Sequence, residues 1–243
     1  MNLVRAFLVV LPAALLLAKP VTAHAGCTDN SFFPLAVGTT RTYQMPSGTR
    51  NTVVVQSVDQ ATGVVTAQGT LSTSSIPATV TMTCVPNQGI LFDLAQAVSG
   101  PISATISSAS GVTIPLPSQF KLHGTAGPGV GQWTHAFTTV TKNGPVSITM
   151  NTTETHTVVA VPPTETTSVP GYSTPRGAFK IEVVSVSTFG GIAGLPGGVQ
   201  IPNIPSTTKT IYEWIVERVG LVKYGPAPGP FTQLVSCGTS ICP

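Results

Sequence analysis

A few carboxylates and histidines are the side chains of this 243-residue sequence that could perform acid–base chemistry. Glu213 and Glu217 fall on one face of a predicted strand, where four steps of extended chain separate them by about 13 Å. Catalytic carboxylate pairs of glycosidases stand about 5–10 Å apart, so this spacing indicates a solvated strand face. Glu182 lies on a neighbouring predicted strand and could approach Glu213, but the sequence does not reveal the register that would decide it.

His135 and Glu154 form a second candidate pair. An Asn143-Gly144 turn between two alternating segments predicts a hairpin in which residue 142 faces residue 145. In that register Trp133 lies opposite Glu154, and His135 is the diagonal neighbour of Glu154 on the same face. A polar cross-strand pair is the favoured interpretation over a catalytic couple, because no nucleophile or metal-ligand set accompanies the two residues.

Other catalytic and metal motifs are weak. The segment Gly171-Tyr172-Ser173-Thr174-Pro175 resembles a nucleophile elbow, but proline stands where the second glycine belongs. No C-x2-C pair exists, and His123, His135 and His156 are scattered along the sequence. We therefore predict a non-catalytic protein with no catalytic residue, no metal ligand and no cofactor.

The first 25 residues predict export. One cation, Arg5, precedes the apolar segment Ala6 to Ala18, and Ala23-His24-Ala25 places small residues at positions −3 and −1 of a cleavage site. The sequence thus predicts a signal peptide over residues 1–25, cleaved between Ala25 and Gly26. We expect the mature protein to be secreted, periplasmic or on the cell surface.

Membrane anchoring is the alternative to a cleaved signal peptide. A membrane-spanning helix needs about 20 apolar residues, and the segment from Ala6 to Ala18 is shorter. Polar residues, glycine and proline interrupt every later apolar segment, so we expect no transmembrane anchor in the mature chain. A lipid anchor on Cys27 is disfavoured, because His24 stands where a lipoprotein signal has an aliphatic residue.

The composition favours β-strands, and it disfavours nucleic acid and anionic membrane surfaces as partners. Only 8% of residues are charged, against about 25% in an average globular protein. The net charge is +3, and two of the cations, Arg5 and Lys19, belong to the predicted signal peptide. A nearly neutral mature chain has nothing to attract nucleic acid or an anionic membrane surface. The 24 glycines and 22 prolines favour many turns and short strands over long helices.

Alternation of apolar and polar residues predicts an all-β fold: a curved antiparallel sheet or sheets, half-barrel or sandwich-like, with very little helix. We expect one β domain over residues 26–243, and a weak internal echo leaves open two similar β-units, 26–122 and 123–243. The predicted strands are Thr39 to Met45, Asn51 to Gln60, Gly63 to Ser72, Ala78 to Val85, Gly89 to Leu94, Trp133 to Lys142, Val146 to Val161, Ala178 to Thr188, Thr208 to Val219, Leu221 to Tyr224 and Phe231 to Val235.

Within the strand from Thr208 to Val219, aromatic and carboxylate side chains alternate. Tyr212 and Trp214 share one face, while Glu213 and Glu217 share the other. The glutamates indicate that their face is partly wet, so we expect Trp214 to point to the core or to a concave pocket.

Four cysteines remain in the mature chain, and an even number in an oxidising compartment predicts disulfides. Three pairings are possible. We favour Cys27–Cys84, which would tie the N-terminus to the sheet, together with Cys237–Cys242.

Three segments resemble a large group of uncharacterised bacterial exported proteins and lipoproteins. Their shared patterns are a Phe-Pro-Leu…Gly-x-x-Trp-x-Tyr opening, a Val-Pro-Ala-Gly-Thr-Phe turn and a closing Tyr-x-Trp…Val-Gly-Leu-Val-Lys strand pair. The matching residues here are Phe32 to Tyr43, Thr174 to Ile181, and Tyr212 to Tyr224. Arg41 stands in place of the usual tryptophan, and Arg176 in place of the usual alanine. The resemblance implies a curved antiparallel sheet similar to periplasmic lipoprotein-carrier half-barrels, and it implies no catalytic residues.

Three functional hypotheses follow. The first is an exported, non-catalytic β-protein that binds or carries an apolar small molecule or lipid, or assists envelope assembly. The second is a structural or adhesive cell-surface protein, which the threonine-rich and charge-poor surface would suit. The third, and least favoured, is a secreted hydrolase.

Overall fold

A computed structural model of the chain describes residues 33–74, 77–85, 88–93, 97–99, 102–116, 120–171, 175–194 and 204–238. In this part of the chain no helix is long and apolar enough to cross a membrane. The strands are, in chain order, β1 (Thr40–Gln44), β2 (Arg50–Asp59), β3 (Val64–Leu71), β4 (Ala78–Val85), β5 (Gly89–Asp93), β6 (Ala97–Ser99), β7 (Ile102–Gly111), β8 (Ile114–Pro115), β9 (Gln132–Asn143), β10 (Val146–Ala160), β11 (Thr166–Thr167), β12 (Arg176–Gly177), β13 (Phe179–Ala193), β14 (Thr207–Val216), β15 (Gly220–Gly225) and β16 (Thr232–Cys237).

Fourteen of these strands form one antiparallel sheet. Their order is β6-β7-β9-β10-β13-β14-β15-β16-β1-β2-β3-β4-β5-β8. The sheet is open, because β6 and β8 lie at its two edges, and β16, the last strand of the described residues, pairs with β1, the first. Strands β11 and β12 form a separate small sheet. The predicted all-β fold with a large antiparallel sheet is confirmed.

Each predicted strand is present, and two of the strand ends differ from the prediction by more than two residues. Strand β13 continues to Ala193, five residues beyond its predicted end, and β14 ends at Val216 instead of Val219. Strand β7 was missed, because its sequence ISATISSASG consists mainly of small residues without a clear alternation of apolar and polar side chains.

The sheet buries apolar side chains on both faces. One face, which we call the inner face, packs fully buried residues from both halves of the chain into a single core. Its members include Leu35, Val65, Ile90, Ile181 and Ile215. The alternating burial of β3 shows how the sequence produces this face, since Val65 and Ala67 are buried while their neighbours are half-buried.

A second core lies against the opposite face of β14, which we call the outer face and which carries Trp214 and Val216. The segment between β10 and β13 folds over it and buries Val169 and Ala178 against Trp214, Val222 and Leu234. The chain lies close to the sheet here. The backbone N–H of Gly171 donates to the carbonyl oxygen of Leu234 at 3.0 Å, and a Cβ at Gly171 would lie 3.2 Å from that oxygen.

The β9–β10 hairpin differs from its predicted register by two residues. Asn143 pairs with Val146, so the turn consists of Gly144 and Pro145. Gly144 has φ +57°, and Asn143 is not left-handed, whereas an Asn-Gly turn of type I′ needs positive φ at both positions. Glycine followed by proline, whose φ is fixed near −65°, suits a type II′ turn. The register shift places His135 directly opposite Glu154.

Candidate functional site

Three side chains with metal-ligating atoms meet on the inner face of the β9–β10 hairpin. His135 lies directly opposite Glu154, and His156 follows two residues further along the same face of β10. Glu154 Oε2 lies 3.7 Å from His135 Nδ1 and 3.5 Å from His156 Nε2. One ligand atom from each residue lies within 4.8 Å of the other two. We call these three residues the His–Glu–His cluster.

Both imidazoles of the cluster are buried, with exposed fractions of 3% for His135 and 2% for His156. None of their four ring nitrogens has a hydrogen-bond partner among the described residues. Aromatic packing holds the rings instead. His156 stacks on Trp133 with ring centroids 5.1 Å apart, and His135 lies 5.2 Å from the ring of Phe137. Buried polar atoms are nearly always paired in proteins, so four unpaired nitrogens at one place call for a physical explanation.

Glu154 is the anionic member of the cluster. Its Oε1 accepts a hydrogen bond of 2.9 Å from the Ser185 hydroxyl on β13, which leaves Oε2 directed at the two imidazoles. Burial by itself would raise the pKa of Glu154. The neighbouring His135, His156 and Ser185 outweigh burial and hold that pKa well below its ordinary value. The carboxyl is therefore ionised at neutral pH and acts only as an acceptor.

Glu213 extends the inner polar region towards β14. It pairs with Ile181 of β13, which in turn pairs with Val158 of β10, so all three side chains lie on the inner face. Burial raises the pKa of Glu213, His156 lowers it, and the negative charge of Glu154 raises it again, for a net rise. The Glu213 carboxyl thus holds its proton to a higher pH than an exposed glutamate.

An apolar cavity of about 420 Å³ lies on the inner face between strands β1 to β5 and strands β14 and β15. Ligand pockets of proteins measure about 300–1,000 Å³ and are mainly apolar with a few polar groups. Both descriptions apply here. The lining residues are Phe33, Leu35, Arg41, Tyr43, Asn51, Val53, Val55, Ala67, Val80, Met82, Phe92, Thr113, Ile114, Glu213, Ile215, Leu221 and Tyr224.

Arg41 is the only cation among the described residues that line this cavity. Its Nε donates to the carbonyl oxygen of Val219 at 3.0 Å, its Nη2 donates to that of Pro34 at 2.9 Å, and its guanidinium carbon lies 4.6 Å from the ring centroid of Phe33. Within the described residues no carboxylate forms an ion pair with it. Burial lowers the pKa of Arg41, and the nearby Tyr43 raises it only in part.

A second polar cluster lies on the outer face around Trp214, which is 6% exposed. Trp214 Nε1 donates to Glu165 Oε1 at 2.7 Å, and the Tyr212 hydroxyl donates to Glu182 Oε2 at 2.9 Å. The ammonium nitrogens of two lysines lie 4.3–5.3 Å from the centroids of the aromatic rings of this cluster. These lysines are Lys180 and Lys223.

The structure separates the glutamates that the sequence suggested as a pair. Glu217 lies exposed in the turn after β14 and does not share a face with Glu213. Glu182 faces outward beside Tyr212, whereas Glu213 faces inward, so the two do not approach each other. The face of β14 that carries Glu213 is less exposed to solvent than predicted, because Ile215 on that face is buried in the inner core. The prediction that Trp214 packs into a core is confirmed.

The histidines are not all scattered, because His135 and His156 meet while His123 lies exposed outside their cluster. Sequence reasoning paired His135 with Glu154 but placed them diagonally, and it left His156 out. The pattern Glu154-Thr155-His156 carried the missing signal. Alternate residues of a strand share a face, and the correct register would have added His135.

Several predicted features lie outside the described residues. These include the signal peptide and its cleavage site, Ser173 of the elbow-like segment, Cys27 and Cys242. Cys84 is buried on β4 and forms no disulfide within the described residues. Both disulfide pairings therefore stay predictions.

Comparisons with known proteins place the fold. No family model matches the chain, and no curated protein matches its sequence. Two solved structures are similar over their full length. A candidate lipoprotein from Parabacteroides distasonis has a TM-score of 0.52 and 13% identity, covering 87% of this chain and 99% of its own. A candidate exported protein with a YmcC-like fold from Bacteroides fragilis has a TM-score of 0.51 and 12% identity, covering 86% and 100%. At this identity the likeness concerns the fold.

Proposed function

We propose that this chain is an exported, non-catalytic β-protein that binds an apolar small molecule or lipid in the cavity of its inner face. The observation that carries this proposal is the cavity itself, with about 420 Å³ of space and a predominantly apolar lining. Filling it with an apolar ligand would remove that lining from water, which favours binding in proportion to the area covered.

Two polar groups of the cavity lining, Arg41 and Glu213, indicate which kind of apolar ligand the cavity would bind. The Arg41 guanidinium is buried beside the cavity without a carboxylate partner among the described residues, and burial of an unpaired charge costs free energy. A ligand with an acidic head group would supply the missing anion. Glu213 also lines the cavity, and its raised pKa lowers the ionised fraction at a given pH, which reduces its repulsion of such a ligand.

Export rests on the predicted signal peptide and on the fold shared with a candidate lipoprotein and a candidate exported protein. N-terminal mass spectrometry of protein recovered from a secreting host tests it. We expect the mature chain to begin at Gly26. A diacylglycerol on Cys27 would make the protein a lipoprotein, and an uncleaved N-terminus would contradict export through this signal.

Titration with a fluorescent fatty acid tests ligand binding. We expect saturable binding with a micromolar Kd, and Val80→Trp, which adds an indole to the cavity lining, should weaken it at least about tenfold. Val159→Trp is the matched control, because Val159 is 39% exposed and lies outside the cavity. No saturable binding to the wild type would favour the structural or adhesive role instead.

The head-group preference has its own experiment. A fatty acid and the fatty alcohol of equal chain length differ only in the charged end. If Arg41 receives that end, the acid should bind about tenfold more tightly or better, since hydrogen bonds to charged groups contribute about 1.5–3 kcal/mol. Equal affinities would contradict the role of Arg41 and leave the apolar cavity as the only determinant.

A further inference from the structure

We propose that His135, Glu154 and His156 bind a divalent transition-metal ion, with Zn²⁺ as the ion to test first. The three donor atoms are two imidazole nitrogens and one carboxylate oxygen, converging on one point of the inner face. Two imidazoles and one carboxylate are a ligand set of zinc sites that keep a fourth position for water or another ligand. The imidazole nitrogens disfavour Ca²⁺ and Mg²⁺, which prefer oxygen ligands.

The two Glu154–histidine distances fit a metal site better than they fit hydrogen bonds. Hydrogen bonds between nitrogen and oxygen measure about 2.7–3.2 Å, whereas the two contacts of Glu154 Oε2 measure 3.7 and 3.5 Å. Metal bonds of about 2.0–2.1 Å in a tetrahedron place neighbouring ligand atoms about 3.3 Å apart. The two Glu154 contacts exceed that spacing by only a few tenths of an ångström, and the distance between the two histidine ligand atoms, at most 4.8 Å, would shorten by up to about 1.5 Å as the rings close on the ion.

The surroundings of the cluster also suit a metal. Each neutral imidazole offers one ring nitrogen with a lone pair, and no ring nitrogen of the two histidines has a hydrogen-bond partner among the described residues. Ser185 holds Oε1 of Glu154 and leaves Oε2 free to coordinate, which is the usual task of residues that orient metal ligands. The Glu154 side chain is 22% exposed, so an ion has a route to the buried histidines.

Zinc titration of the metal-free, untagged protein by calorimetry tests the site. We expect one Zn²⁺ per chain, and a melting temperature about 5–10 °C higher at a zinc concentration about 100 times Kd. His135→Phe and His156→Phe should each weaken zinc binding about 100-fold or more. Glu154→Gln should weaken it at least about tenfold, and Ser185→Ala about tenfold. His123→Gln and Glu182→Gln, which alter an exposed histidine and an outward carboxylate, should leave the affinity unchanged.

A spectroscopic measurement keeps the proposal testable if the histidine variants fail to fold. In histidine-labelled wild-type protein, zinc should move the ring signals of His135 and His156 and leave those of His123 in place. The absence of saturable 1:1 binding of Zn²⁺, Co²⁺, Ni²⁺ and Cu²⁺ would overturn the proposal. Zinc binding that persists in a folded His156→Phe variant, or that moves His123 alone, would overturn it as well. Fatty-acid binding by the same preparations is scored separately, so failure of the metal site does not count against the cavity.

Discussion

The inner and outer faces of the sheet each carry a cluster of polar and aromatic side chains, and the two clusters differ in how their polar atoms are hydrogen-bonded. On the outer face, Trp214 and Tyr212 donate hydrogen bonds of 2.7 and 2.9 Å to carboxylates. On the inner face, Glu154 stays 3.5–3.7 Å from its histidines, and their four nitrogens have no hydrogen-bond partner among the described residues. A cluster whose aromatic side chains donate short hydrogen bonds stabilises the fold, whereas one whose nitrogens have no hydrogen-bond partner retains the capacity to bind an ion.

This contrast predicts opposite consequences for removing residues from the two clusters. Deleting a fully paired side chain loses its contacts and leaves partners unsatisfied. Deleting a side chain whose polar atoms are already unpaired loses much less, and it can even relieve a cost.

Trp214→Ala should have the largest effect. Loss of a buried tryptophan costs about 3–5 kcal/mol, which is a large part of a typical free energy of unfolding of about 5–15 kcal/mol. The substitution also leaves the Glu165 carboxylate without the hydrogen bond from Trp214. Urea unfolding measures the loss. Trp214→Phe keeps an aromatic ring and should lose clearly less. A Trp214→Ala protein as stable as the wild type would remove the outer cluster from its structural role.

Arg41→Met should come next, since Arg41 is an inner-face residue with two guanidinium nitrogens that donate hydrogen bonds. It would lose two charged hydrogen bonds to the carbonyls of Val219 and Pro34, at a net cost of about 2–4 kcal/mol after relief of the buried charge. Urea unfolding beside the exposed control Arg50→Met provides the measurement. Equal stability of Arg41→Met and the wild type would show that the hydrogen bonds of an inner-face side chain do not determine how much stability its removal costs.

Glu213→Gln should stabilise the protein moderately, and only above acidic pH. The folded pKa of Glu213 is raised, so below its ordinary pKa the carboxyl is neutral in both states and costs nothing extra. As the pH rises through the folded pKa, ionisation penalises the folded state, and the glutamine variant avoids that penalty. With chelator present, the melting temperature of Glu213→Gln should exceed that of the wild type by an amount that grows as the pH rises. Glu217→Gln, altered in the exposed turn, should match the wild type throughout; a lower melting temperature for Glu213→Gln at neutral pH would contradict the argument.

His156→Phe should have the smallest effect in metal-free protein, within about 1 kcal/mol in either direction. Phenylalanine keeps the stacking on Trp133 and removes two buried nitrogens without hydrogen-bond partners, which offsets the loss of the contact between His156 and Glu154. Urea unfolding in chelator measures the change. A loss as large as that of Trp214→Ala would mean that the inner cluster supports the fold without any ion.

The sequence predicted the fold class and most strands, because period-2 alternation directly reports which residues face a core. It missed β7, whose small residues carry no such alternation. The site was largely hidden for two reasons. Choosing Asn143-Gly144 as the turn displaced the hairpin register by two residues and separated His135 from its true partner. Glu213 was interpreted as evidence of a solvent-exposed face, because the sequence does not distinguish a carboxylate beside a cavity from one in water.

The turn at Gly144 and Pro145 acts at a distance on the histidines. His135 lies eight positions before Asn143 in β9, a distance of about 27 Å at about 3.4 Å per residue. Side chains alternate between the faces, so a slip of β9 by a single position would turn His135 and Trp133 to the outside together. The geometry of three ligand atoms thus depends on the length of a loop that touches none of them. Changes in that loop would erase the site while every one of its residues remained in the sequence.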